Sequence, residues 1–79
     1  MSVSPNKTLD AKNMACPMPI LKAKKAISEI QVNQVLEIIA TDPGSLKDFP
    51  AWCNSTGHQL LSSESRKDKT YRFLVKRTK

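Results

Sequence analysis

Two proline-led segments, Cys16-Pro17-Met18-Pro19 and Asp42-Pro43-Gly44, each stand directly before a helical pattern, and they constrain this chain more than any other feature. Proline suits the first helical position because its missing N–H would have no intrahelical partner there, and its ring fixes φ close to the helical value. Two such helix starts, separated by apolar β-branched runs, imply helices alternating with strands. With 79 residues, the chain has room for one small core and no separate cofactor domain.

After Pro17 the apolar residues Ile20, Ala23, Ile27 and Ile30 recur at spacings of three and four, with Lys22, Lys25 and Glu29 opposite them, which predicts an amphipathic helix over 17–30. Residues 35–40, Val-Leu-Glu-Ile-Ile-Ala, read as a strand central in its sheet. Asp42 as N-cap and Pro43 as first helical residue start a second helix, with Leu46, Phe49 and Cys53 on one face, a break or kink at Pro50, and Gly57 closing it. Residues 7–10 make a short first strand, followed by a turn through Asn13, a residue that tolerates a left-handed backbone. Two further strands, 59–63 and 70–77, are joined by a polar turn at 65–68. In the last of them Tyr71, Phe73 and Val75 alternate with a mostly solvated set, Arg72, Leu74 and Lys76. The expected architecture is a two-layer βαβαββ sandwich of the α/β (α+β) class, a four-stranded mixed sheet with two helices on one face. Residues 1–6 read as a flexible N-terminus and 7–79 as one domain.

The apolar runs are only a few residues long, so neither a membrane span nor a signal peptide is expected, and the chain reads as cytoplasmic. Two cysteines are too few for a disulfide scaffold and would be thiols in a reducing compartment. A formal charge of +6, from 13 Lys and Arg against 7 Asp and Glu, implies attraction to an acidic partner of unspecified kind.

Cys16 stands at a helix entrance, where the peptide dipoles and the free first-turn amides, such as that of Met18, favour a thiolate over a thiol. Cysteines in such places have pKa values of roughly 3.5 to 7.5 in place of about 8.5, and the thiolate is the form that attacks sulfur. A core cysteine gains nothing from Pro17 and Pro19, which stiffen the backbone on its C-terminal side, so Cys16 reads as a reactive thiol. Cys53, beside Trp52 and on the face of Leu46 and Phe49, reads as a buried structural thiol, with a second relay site the alternative. A Cys16–Cys53 disulfide would need their Cα atoms within about 7 Å. No metal site is expected, because neither cysteine has a partner at C-x₂₋₄-C spacing, and His58 is expected at the surface or satisfied, without a catalytic role. Lys22, Lys24 and Lys25 on the first helix are either a solvated face or a partner-steering rim, and Arg66, Lys67, Arg72, Lys76 and Arg77 read as a solvated face.

Leu9-Asp10, Cys16-Pro17-Met18-Pro19 opening a lysine-bearing helix, Asp42-Pro43-Gly44-Ser45, Asp48, Pro50, Trp52-Cys53 and Gly57-His58 together resemble the TusA/SirA-like family of small sulfur carriers, from Lys7 to Lys76. The resemblance implies a persulfide on Cys16, a cysteine desulfurase or other persulfide donor, and a downstream acceptor of DsrE/TusD-like kind. It also implies a place in tRNA thiolation, molybdenum-cofactor biosynthesis or sulfur oxidation. No cofactor of the chain's own is implied, and pyridoxal phosphate would belong to a desulfurase donor. Asn13 stands where the family usually has glycine, and asparagine can adopt the same positive φ. The rival readings are a basic nucleic-acid-binding module, a thiol oxidoreductase and a structural adaptor. Phe49, Trp52, Tyr71 and Phe73 fall at core spacings and leave no row for stacking bases, and no resolving cysteine stands at C-x-x-C spacing.

Overall fold

The computed structural model describes residues 4–15 and 18–79. The readings placed on Cys16 and Pro17, and on positions 1–3, lie outside the described residues. The elements run β1 Lys7–Ala11, α1 Met18–Ser28, β2 Val35–Ala40, α2 Ser45–Thr56, β3 Gln59–Ser65 and β4 Tyr71–Lys76. They form the expected βαβαββ order. The sheet order is β1-β2-β4-β3, with β1 parallel to β2 and both β2 and β3 antiparallel to β4. Asn6, counted with the N-terminal segment in the sequence reading, is already tied to β2: it donates to the Val35 carbonyl at 2.8 Å, and its side chain accepts the Val35 amide.

One core holds the two layers together. Leu36, Ile38 and Ala40 of β2 and Phe73 and Val75 of β4 project to the side where α1 brings Ala23, Ala26 and Ile27 and α2 brings Phe49, Trp52 and Cys53. The Phe49 ring lies 4.7 Å from that of Phe73 and meets Trp52 edge-on at 6.0 Å, geometries that aromatic pairs favour. The alternate residues face away from the helices. There Glu37 accepts from the Thr8 hydroxyl at 2.9 Å and from Arg72, which also reaches Glu64 at 3.3 Å.

Several local expectations are corrected. The second helix starts at Ser45 instead of Pro43, because the Asp42 carboxylate accepts the Gly44 amide at 3.1 Å and the chain enters the helix through Ser45-to-Asp42 and Leu46-to-Pro43 bonds. Ser45 faces inward with Phe49, Trp52 and Cys53, and Leu46 is 37% exposed. The helix also runs unbroken through Pro50. The amide missing there would have served the Leu46 carbonyl, on an exposed residue where water can take its place. Gly57 closes the helix as expected, at φ 86°, its amide on the Cys53 carbonyl at 2.8 Å.

The first helix ends at Ser28, and Ile30 is buried just beyond it. The Arg77 guanidinium donates to the Ile30 and Ser28 carbonyls, so Arg77 caps a helix end and is not part of a solvated face. Arg72, held by Glu37, leaves that face for the same kind of reason. Leu74 is only 5% exposed, because in its central strand it stands between Glu37 and Ser62. A bulge at Leu61 keeps Leu60 against the core and carries β3 on to Ser65, and the hairpin turn moves to 66–69 with Lys69 at φ 67°.

Candidate functional site

Parallel pairing of β1 with β2 brings their C-terminal ends to one edge, with Ala11 opposite Ala40. The segment leading to Cys16 and the segment 41–44 that starts α2 therefore leave the sheet side by side. Three successive amides of the first segment are bonded. Lys12 donates to the Asp10 carboxylate at 3.0 Å, Met14 to the Ala11 carbonyl at 3.4 Å, and Asn13, at φ 66°, to the Thr41 hydroxyl at 2.9 Å. The expected left-handed turn at Asn13 is thus present.

On the helix side of Cys16 the Ala15 carbonyl accepts the Met18 amide at 2.9 Å. This corrects the sequence reading: the Met18 N–H is already bonded and is not a free donor for an anion. The positive end of the α1 dipole remains, and no acidic side chain stands in the first turn to offset it. Pro19 is fully buried, so it plugs the core beneath the first turn as well as stiffening it.

Lys22, Lys24 and Lys25 are all exposed on α1. Met18 and Leu21, 43% and 49% exposed, share that outward surface. Leu21 was not singled out in sequence; its sign is that it falls outside the inward series Pro19, Ala23, Ala26 and Ile27. Thr41 was also missed, although the parallel register would have put it beside the Cys16 segment.

Cys53 is 4% exposed, and burial pushes its thiol up to about 11. It is a protonated core residue at neutral pH, in line with the structural reading. Its distance to Cys16 lies outside the described residues. Among the described residues, no group of three His, Cys, Asp or Glu side chains could hold a metal ion, and no helix is long and apolar enough to cross a membrane.

His58 is satisfied away from the Cys16 segment, its Nδ1 accepting the Thr78 amide at 3.2 Å and its ring 5.7 Å from that of Trp52. Burial, then the charges of Arg77 and Lys79, lower its pKa below the ordinary 6.5. The neutral ring is therefore the folded form, and its contribution to stability is complete above pH 6.5 and is lost as pH falls through the lower folded value. Glu37, held below the usual carboxylate range by its hydrogen bond from Arg72, acts in the same direction at lower pH. The urea midpoint is expected to fall on acidification from pH 7 in two stages. The first is expected to vanish in His58→Gln, and unfolding curves at half-unit pH steps would check it.

The molecule is a small two-layer α/β sandwich in which the segment leading to Cys16 leaves the end of a parallel strand pair. A solved SirA-like protein from Desulfitobacterium hafniense has this fold, with a TM-score of 0.80 over 92% of this chain and 99% of that one, at 20% identity. The profile of the family described as sulfurtransferase TusA matches residues 7–77. The chain is 47% identical over 70 residues to the sulfur carrier protein TusA of Allochromatium vinosum, covering 89% of this chain and 91% of that protein. It is 50% identical over 68 residues to YrkF of Bacillus subtilis, spanning 37% of that protein's length. The chain belongs to the TusA sulfurtransferase family.

Proposed function

We propose that this chain is a sulfur carrier that holds sulfane sulfur as a persulfide on Cys16. The observation carrying this reading is the Cys16-Pro17-Met18-Pro19 motif, opening α1 in a chain of the TusA family. The Cys16 thiolate attacks the terminal sulfur of a donor persulfide. The donor S–S bond breaks, its thiolate leaves, and a new S–S bond forms on Cys16. The same exchange in the next protein unloads it, with the Cys16 thiolate as leaving group and no net oxidation or reduction. The α1 dipole favours both anions at that position, and Pro17 and Pro19 keep the first turn formed.

The chain acts as one domain over 7–79, in the cytoplasm, as a stoichiometric relay without a cofactor of its own. Its donor is a cysteine desulfurase or another persulfide source, and its acceptor a DsrE/TusD-like protein. Phe49, Trp52 and Phe73 are buried and Tyr71 is partly buried against the core, which leaves no row of exposed rings for stacking bases. The test is intact-protein mass spectrometry after incubation with a cysteine desulfurase and cysteine. Gain of one sulfur atom supports the reading, and no gain with several donors refutes it.

Lys22, Lys24 and Lys25, around exposed Met18 and Leu21, fit an acidic, partly apolar partner surface. Replacing all three by alanine is expected to slow association with such a partner by roughly tenfold at low salt. The difference should close near 1 M salt, where the screening length is only about 3 Å. Stopped-flow association rates across a salt series would decide it.

A further inference from the structure

We infer that Thr41 is a positioning residue for Cys16, an inference that rests on Cys16 being the reacting thiol. The Lys12 and Met14 amides bond back onto β1, which their segment has just left. The Asn13 amide alone of the three reaches another element, the Thr41 hydroxyl, 28 residues away in sequence. Ala11 and Ala40 are the last register pair of the parallel ladder, and Thr41 follows Ala40. Its side chain thus extends the ladder by one rung into the segment that carries the thiol.

That rung holds a residue in an uncommon conformation. Asn13 is at φ 66°, a conformation asparagine tolerates but does not require, so a bond that holds it there selects it. Thr41 is a firm support: it is β-branched and stiff at χ1, and the next residue, Asp42, is fixed by its carbonyl on the Ser45 amide and its carboxylate on the Gly44 amide. Cys16 lies three residues beyond Asn13. Asn13, held three residues before the thiol, and Pro19, buried three residues after it, fix the backbone on either side of the thiol's place. Both thiolate fraction and attack geometry depend on that place. Thr41 touches neither sulfur nor partner in this scheme and acts through the Asn13 amide.

The experiment follows alkylation of Cys16 by iodoacetamide between pH 5 and 9, read on the peptide containing residue 16, in wild type, Thr41→Val and Thr41→Ser. Valine keeps the shape and removes the acceptor; serine keeps the acceptor. Thr41→Val is expected to slow alkylation at pH 7 by about three- to tenfold, the scale of one net hydrogen bond, and to move the titration midpoint up toward about 8.5. Thr41→Ser should stay within about twofold of wild type, in keeping with the retained bond. Thr41→Ala serves in the same way if the valine protein does not fold. An unchanged midpoint in the variant lacking the hydroxyl, or failure of serine to restore it, overturns the inference. Alkylation needs no sulfur donor, so a wild type that never acquires a persulfide would defeat the carrier reading and leave this result standing apart from it.

Discussion

Intact-mass spectra of the Cys16→Ser protein, after incubation with a cysteine desulfurase and cysteine, are expected to show no added sulfur, while Cys53→Ser loads as fully as wild type. Serine is close to cysteine in size, so the change tests chemistry more than packing. A hydroxyl is far harder to ionise than a thiol and makes no persulfide. Cys53 cannot stand in, because it is 4% exposed and its thiol is raised to about 11 by burial, leaving it protonated and out of reach at neutral pH. Iodoacetamide should therefore label Cys53 only once the protein is unfolded. Sulfur acquired by the Cys16→Ser protein would move the carrier role elsewhere, and Cys53 would be the only cysteine left to hold it.

Phe49→Ala is expected to cost about 3–5 kcal/mol of stability, the range for truncating a large aromatic in a packed core. Phe49 is fully buried and is the ring through which α2 meets both Trp52 on its own helix and Phe73 on the central strand β4. Small domains have little stability to spare, and a loss of this size lowers Tm by roughly 15–30 °C at this length. Paired urea and thermal curves would check it. A loss below about 1 kcal/mol would mean that the core collapses around the void, and the aromatic cluster would not be what joins the layers.

The parts of the fold legible in sequence were those decided by neighbours within a turn. Val35 to Ala40 is apolar and β-branched enough to be bounded correctly as a strand. Gly57 and Asn13 took up the left-handed conformations their side chains permit. The start of α2 was misplaced by a side chain, since Asp42 captured the Gly44 amide and delayed the helix, and Ser45 stands on the buried face where Leu46 was expected.

What stayed hidden depended on residues far apart. Arg72 and Arg77 look like solvated charges until β4 sets one against Glu37 and the other on the end of α1. Leu74 looks outward until strands flank it on both sides. At the site, the motif named Cys16 and its prolines, but no local rule could show that the Met18 amide is taken by Ala15 or that Thr41 reaches Asn13.

The position of β4 bears on how the molecule is made. Residues 71–76 follow β3 in chain order, yet they lie between β2 and β3, and Arg77 just beyond them holds the Ile30 carbonyl, 47 residues earlier and just past the end of α1. While a ribosome is still extending the chain, β1, α1 and β2 have emerged with β2 bare along the edge that β4 will occupy, and α2 and β3 have no sheet to join. Such long-range closure is slow, and open strand edges invite the wrong neighbour. The nascent chain must therefore keep its apolar face uncommitted until β4 has emerged, although the β1–β2 ladder and Thr41 that flank the thiol segment are in place earlier.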